Sequence, residues 1–253
     1  NLTKYYGSSR GIEGIDLSVN KGEIFGFLGP NGAGKSTTLR LLMNGLKPTH
    51  GSATILGFDC QKQSQDVHKY VGAFSSDLSL YESMRGFELI AYLAKLRGSI
   101  DQDYVTYVAE QLSCELSRPI RTLSSGNKTK VGLLAAIMHK PQVLILDEPT
   151  TGLDPIVRQT VYRILRDIQA QGCTVLLSSH DLTEVERICD RVGIIREGKL
   201  VTVERIEDLQ QASLHHVSIQ FEGEIPKDIL DTEPNVVSST IETSSISLTA
   251  EGD

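Results

Sequence analysis

The stretch that decides the fold is Gly29-Pro30-Asn31-Gly32-Ala33-Gly34-Lys35-Ser36-Thr37, which matches the pattern G-x-x-x-x-G-K-[ST]. Residues 24–28 form an apolar run that predicts a buried strand, and the segment from Ser36 predicts a helix ending near Gly45. Glycines let the backbone turn tightly, so several N–H groups and the positive end of the helix dipole point at one anion. Lys35 would add a full charge at the β- and γ-phosphates, and the Ser36 hydroxyl would ligate Mg²⁺. The stretch therefore predicts that the chain binds a nucleoside triphosphate.

Length and composition indicate an ordinary globular protein. The chain has 253 residues, 40% hydrophobic and 23% charged, enough for one large domain or one domain with a small appendage. A net charge of -7 argues against nucleic acid as the main partner, because nucleic acid binding needs a basic face. No apolar run approaches the roughly 20 residues of a membrane-spanning helix, and no signal peptide is visible. The abrupt start at Asn1 and the end after a strand-like segment suggest a fragment trimmed at both ends.

The N-terminal region has the pattern of short strands. Residues 12–28 predict a hairpin that leads into the core sheet, with alternating apolar residues, a turn at residues 20–22 and then the strand before the phosphate loop. Residues 53–57 and 71–74 predict two further strands.

From about residue 81 to residue 140 the pattern becomes helical. Leu89, Ile90, Leu93 and Leu96 recur at helical spacing, and residues 103–112 and 128–139 mark two more helices. We expect a helical subdomain inserted between strands of the core sheet.

Strands and helices alternate after residue 140. Strands are predicted at residues 143–146 and 174–178, and a helix is predicted from Pro155 with Asp154 as its N-cap. Asp181 and Glu184 predict a capping box at the next helix. The predicted fold is α/β: a P-loop NTPase core with a mostly parallel sheet, an N-terminal antiparallel β subdomain, a helical subdomain insertion and a small C-terminal β-rich extension.

The pattern changes again near residue 212, after which the chain is β-rich. We therefore predict a nucleotide-binding domain over residues 1–212, with its helical subdomain at about 81–140, and a separate accessory module over residues 213–253 that is truncated at its end. Alternating apolar residues mark the first strand of this module: Val217, Ile219 and Phe221.

Two acidic residues follow one of the predicted buried strands. Asp147 and Glu148 would lie at its carboxyl end, where ligands bind in open α/β sheets. Asp147 can then hold Mg²⁺, and Glu148 can reach the water that attacks the γ-phosphate. By itself such a pair could equally stand at a helix N-terminus; together with Lys35 and Ser36 it predicts phosphate chemistry.

These residues and four further segments resemble the ATP-binding cassette (ABC) family over about residues 2–205. Residues 123–130 look like the family's signature motif, usually Leu-Ser-Gly-Gly-Gln, so two of its positions depart from the usual form. Residues 152–155 resemble the loop that crosses the dimer interface, and His180 resembles the switch histidine. Tyr6 lies 23 residues before Gly29, where the family places an aromatic residue that stacks on adenine; Tyr5 is the alternative.

The resemblance implies roles for these residues. Two chains, most simply a homodimer, would pair head to tail around ATP and Mg²⁺, with Asp154 in the loop that crosses between them. His180 would hold the γ-phosphate and orient Glu148 or the attacking water, and Glu148 would act as general base. The signature would act on the ATP of the other chain through Ser124, Ser125, Gly126 and Asn127, of which Ser125 and Asn127 are the departures.

One metal position departs more strongly from the family pattern. The family usually has Gln after the strand at residues 71–74, and Ser76 stands there in this chain. Serine is shorter, so Ser76 could reach Mg²⁺ only through water, unless Asp77 substitutes for it.

The resemblance implies an ATPase that drives a separate membrane permease from the cytoplasmic face, in the manner of multidrug exporters. Residues 75–100 would grip a cytoplasmic loop of that permease. Three alternatives stay open. One is a cassette ATPase acting on ribosomes or DNA, although the helical region is short and lacks a cysteine pair. Another is a regulatory cassette in a heterodimer. The last is a different P-loop enzyme such as a kinase, which leaves residues 123–127 and His180 unexplained.

Overall fold

A computed structural model of the protein describes residues 1–75, 80–98, 100–211, 214–220, 236–241 and 245–251. Within these residues the largest sheet has six strands. Four of its five strand pairings are parallel, and the central strands are buried on both faces. This confirms the predicted mostly parallel sheet. The spatial order of the strands is β10 (Lys199–Arg205), β9 (Arg191–Arg196), β3 (Ile24–Leu28), β8 (Thr174–Ser179), β7 (Val143–Asp147) and β6 (Val71–Ser75).

Helices pack against the sheet through its alternating side chains. Phe25 and Phe27 of β3 lie fully buried in a cluster with Leu39 of α1 (Lys35–Leu42). Gly26, between them on the strand, faces Val185 of α7 (Leu182–Ile188). α6 (Pro155–Ala170) begins with the predicted N-cap.

The N-terminal strands form a small antiparallel subdomain. β1 (Leu2–Tyr6) pairs antiparallel with β2 (Ser9–Ile15), and β4 (Thr54–Ile55) pairs with β5 (Phe58–Asp59), which precedes α2 (Ser64–Tyr70). The predicted hairpin over residues 12–28 is wrong, because β2 pairs with β1 whereas β3 pairs with β8 and β9. β3 is apolar on both faces, and only a central position in the sheet buries both.

The predicted helical insertion is confirmed between β6 and β7. It contains α3 (Gly86–Arg97), α4 (Gln102–Gln111), a 3₁₀ turn (Ile120–Thr122) and α5 (Ser125–Ile137). A small core of its own includes Leu89, Ile120 and Val131.

The chain divides into two compact units, Asn1–Val203 and Glu204–Asp253. The second contains α8 (Ile206–Gln211) and an antiparallel sheet in the order β11 (Leu214–Gln220), β13 (Ser245–Glu251), β12 (Val236–Ile241). The β-rich extension is therefore present, although Phe221 lies outside the described residues. None of the described helices is long and apolar enough to cross a membrane.

Candidate functional site

The loop between β3 and α1 has the shape of an anion cradle. Gly34 caps α1 with φ 109°, and a Cβ atom there would lie 2.5 Å from Ile12 Cγ2, so only glycine fits. No described residue accepts a hydrogen bond from the N–H of Gly32 or Gly34. The Lys35 ammonium is buried and donates to the carbonyls of Gly29 at 2.7 Å and Pro30 at 3.2 Å. The loop therefore offers free donors and one buried positive charge to a phosphate.

Three predicted site residues from distant parts of the chain meet at the carboxyl edge of the sheet. Glu148 Oε1 lies 3.3 Å from Lys35 Nζ, and its Oε2 lies 3.3 Å from His180 Nδ1. The hydroxyl of Thr151 donates to Oε2 at 3.2 Å. The His180 side chain is half exposed, so one side of this cluster is open to a ligand.

The charges around Glu148 keep it ionised. Burial acts to raise the pKa of this carboxyl, but the hydrogen bond and charge of Lys35, the charge of His180 and the Thr151 hydrogen bond together outweigh burial. The net result is a pKa below the ordinary value for Glu, so the group is a carboxylate at neutral pH and can accept a proton.

The Glu148 backbone is held in an unusual conformation. Its φ is 49°, a left-handed value that costs a residue with a Cβ about 1 kcal/mol or more. Ser178 on β8 stabilises it, because the Ser178 hydroxyl accepts from Glu148 N at 3.1 Å and donates to Asp147 Oδ1 at 2.6 Å. We did not predict a role for Ser178 from the sequence. What marks this residue is its position opposite Asp147 in the parallel register.

Two oxygen donors near the loop fit a magnesium ion. Asp147 is buried at the end of β7, and Ser36 lies half-buried in the first turn of α1. Mg²⁺ typically takes one or two protein oxygens and completes its shell with phosphates and water, so this sparse set suits it. The described residues contain no cluster of three or more acidic, His or Cys side chains that would hold a metal without a nucleotide. Ser76 and Asp77 lie outside the described residues.

The signature segment stands apart from the phosphate loop of its own chain. Ser124 caps α5, and its hydroxyl accepts from Asn127 N at 3.3 Å. Ser124 and Ser125 are exposed, and Gly126 and Asn127 are partly exposed. Among the described residues, no hydrogen bond or ion pair joins residues 124–127 to residues 29–37.

Two other predicted site residues are Asp154, which follows a loop beside the signature, and Tyr6, which lies beside the phosphate loop. A Cβ on Gly126 would come within 3.1 Å of the Gly152 carbonyl, so the signature packs against the loop leading to Asp154, which accepts from Val157 N at 3.0 Å. Tyr6 is 47% exposed, and its hydroxyl lies 3.3 Å from Thr37 Oγ1. Tyr5 points elsewhere, donating to Glu13 at 3.0 Å.

The predicted capping box at α7 is wrong in one of its two members. Asp181 does cap the helix, accepting from Thr183 N at 2.9 Å. Glu184 instead accepts hydrogen bonds from the hydroxyls of Thr150 and Ser179, each at 2.6 Å. A buried carboxylate gains more from two hydroxyl donors than from one backbone N–H at a helix end, and both donors stand beside motif residues.

Comparison with known proteins identifies the family of this chain. The family model described as ABC transporter matches residues 12–151, more than half of the chain. The bacitracin transport ATP-binding protein BcrA of Enterococcus faecalis is 34% identical over 97% of this chain and 81% of the relative. The linearmycin resistance ATP-binding protein LnrL of Bacillus subtilis is 35% identical over 83% of this chain and 69% of the relative.

The fold is also found among solved structures. One described as the ATP binding subunit of an ABC transporter superposes with a TM-score of 0.75 at 27% identity, covering 83% of this chain and 89% of that one. Family model, relatives and fold thus point to the same family. The chain belongs to the ABC transporter family, as an ATP-hydrolysing subunit.

Proposed function

We propose that two copies of this protein pair head to tail around MgATP and drive a separate membrane permease, in the direction of export. The observation that carries the proposal is the arrangement of two half-sites on one chain. Lys35, Glu148 and His180 form a cluster with an open side, while Ser124 and Ser125 are exposed and share no hydrogen bond or ion pair with that cluster among the described residues.

Within one half-site, each side chain has a distinct task. Lys35 exchanges its carbonyl partners for the β- and γ-phosphates, and the free N–H groups of the loop add further donors. This exchange releases Glu148, which takes the proton of the attacking water as general base. His180 holds the γ-phosphate side and orients Glu148. Mg²⁺ held by Ser36 and Asp147, with Ser76 contributing only through water, would neutralise phosphate charge.

The other half-site acts on the partner's nucleotide. Ser124 offers a hydroxyl and Gly126 a close backbone approach at the N-terminus of α5, where the helix dipole favours an anion. Ser125 and Asn127 complete this surface, Asp154 lies in the loop that crosses to the partner, and a two-fold arrangement closes two sites at once. Tyr6 stacks on adenine at the margin of each site.

Export through a permease is the finer part of the proposal. The two relatives are named for bacitracin transport and linearmycin resistance. The helical subdomain exposes large apolar side chains that suit a protein partner: Tyr81, Phe87, Tyr92 and Leu96. The motor then lies at the cytoplasmic face of the membrane, residues 1–212 form its nucleotide-binding domain, and residues 213–253 form an accessory module.

The test is a steric block of the signature. Ser124→Arg should leave ATP binding to the isolated chain unchanged and lower the ATPase rate by roughly 10²-fold or more, because the partner's site loses its closing surface. Ser117→Arg, an exposed serine elsewhere in the helical subdomain, is the matched control. Full activity of the Ser124→Arg chain would contradict catalysis between subunits, and recovery of ribosomes rather than a multi-span membrane protein in a pull-down would contradict the permease partner.

A further inference from the structure

We propose that Glu184 is a positioning residue that ties the loop carrying Glu148 to the loop carrying His180 and thereby sets the distance between these two groups. The inference rests on the roles proposed above for Glu148 and His180. Glu184 itself is buried, at 5% exposed, and no hydrogen bond or ion pair among the described residues joins its side chain to the phosphate loop.

Both carboxylate oxygens of Glu184 are used, one for each loop. Oε1 accepts from the Thr150 hydroxyl and Oε2 accepts from the Ser179 hydroxyl, each at 2.6 Å, which is in the short range of charge-assisted hydrogen bonds. Thr150 and Ser179 are themselves buried. No described Lys, Arg or His forms an ion pair with Glu184. The hydroxyls of Thr150 and Ser179 therefore supply the hydrogen bonds that a buried carboxylate needs.

On the first side, Thr150 fixes the turn that follows Glu148. Its carbonyl accepts from Leu153 N at 3.1 Å, which shapes the approach to Asp154. Thr151, its neighbour, bonds the Glu148 carbonyl through its N–H and the Glu148 carboxylate through its hydroxyl, both at 3.2 Å. A shift of Thr150 would therefore move the general base.

On the second side, Ser179 fixes the backbone around His180. Its hydroxyl accepts from Asp181 N at 3.0 Å, and its carbonyl accepts from Gly29 N at 3.1 Å. The residues before and after His180 are thus both held, while the half-exposed imidazole lies 3.3 Å from Glu148. Glu184 therefore holds together the two loops whose side chains meet at that contact.

The experiment compares Glu184→Gln and Thr150→Val in the full chain, each measured for kcat, KM for ATP and melting temperature. We expect kcat to fall roughly 10- to 100-fold, as for residues that orient a catalytic group, with KM changed less than about two-fold. Thr150→Val keeps the side-chain shape, so it reports on the hydrogen bond even if Glu184→Gln folds poorly. Glu23→Gln and Thr174→Val, buried groups at the opposite edge of the sheet, are controls expected to keep kcat.

A His180→Ala background separates positioning from a merely structural role. Because Glu184 sets the distance between Glu148 and His180, adding Glu184→Gln to His180→Ala should lower kcat by a clearly smaller factor than it does in the parent chain, any remaining loss coming from the shift of Glu148. An equally large fall in kcat when Glu184→Gln is added to His180→Ala would overturn the inference but not the proposed site roles. Normal kcat in both single variants, beside an inactive His180→Ala chain, would do the same. Full activity of His180→Ala itself would overturn the proposed site roles, and the inference with them.

Discussion

The two edges of the central sheet both hold carboxylates, but they pair them with different kinds of partner. At the amino edge, Glu23 pairs with Arg191 at 3.1 Å, and Asp190 pairs with Arg166 at 2.8 Å. At the carboxyl edge, Glu148 pairs with Lys35 at 3.3 Å, and the Glu184 carboxylate has two hydroxyl partners and no cationic one among the residues that the structure describes.

This difference separates stability from function. Arginine pairs through a rigid planar fork and keeps its charge, so the amino edge is suited to permanent links. Lys35 is held by two carbonyls and one carboxylate, all of which it can exchange for the phosphates of a nucleotide. Removing a positive charge at either edge should therefore have opposite consequences.

The largest expected effect follows from Lys35→Ala. The ATPase rate should fall by roughly 10²- to 10³-fold or more, because the main charge on the β- and γ-phosphates is lost. The free energy of unfolding should change by less than about 1 kcal/mol, because removing the buried ammonium also removes its desolvation cost and Glu148 keeps Thr151 and His180 as partners. ATPase assays and urea unfolding of the same preparation measure both; a large loss of stability with activity retained would invert the comparison.

Arg191→Ala should show the reverse pattern. Breaking its pair leaves the buried Glu23 carboxylate with only Asn20, which should lower the free energy of unfolding by about 2–3 kcal/mol. kcat per folded molecule should stay within about two-fold of the parent. Urea unfolding measures the first quantity and ATPase assays of the folded fraction measure the second.

A smaller effect is expected from pH at the same edge. His139 contacts the carbonyl of Val71 at the start of β6, and its Nδ1 has no described partner. Burial, helped by the charge of Arg97, lowers the His139 pKa from 6.5 to about 4. Between pH 6.5 and pH 4, His139 is protonated in the unfolded chain and neutral in the folded chain. The free energy of unfolding therefore decreases as the pH falls through this range.

For this half-buried group, screening by solvent reduces the expected loss to about 1–2 kcal/mol. His139→Gln should flatten the decline, measured by urea unfolding at pH 7, 5.5 and 4.5, whereas His50→Gln at an exposed position should not. An equal decline in all three proteins would assign it to other groups.

Local patterns in the sequence correctly predicted the elements that do not depend on residues distant in the chain. The phosphate loop, the strand ending in Asp147 and the Asp154 cap need only neighbouring residues, and each is found in the structure. The hairpin at residues 12–28 failed because β3 takes its partners about 150 residues away. The predicted capping role of Glu184 is wrong for the same reason, because the hydroxyl of Thr150, distant in the sequence, competes with the backbone at the helix start for this carboxylate.

The remaining site features were equally non-local. Ser178 and Ser179 are ordinary strand residues until the register brings Asp147 beside β8. The positive φ of Glu148 likewise depends on the hydrogen bond from its N–H to Ser178 rather than on any sequence preference.

The most direct test of the account is the mass of the Glu148→Gln chain in solution. This substitution removes the base but leaves Lys35 and the signature, so ATP should bind and persist. Size-exclusion chromatography with light scattering should give 27.7 kDa without nucleotide and twice that mass with MgATP. A chain that binds ATP yet stays at 27.7 kDa over the accessible concentration range would contradict the claim that two copies enclose the nucleotide.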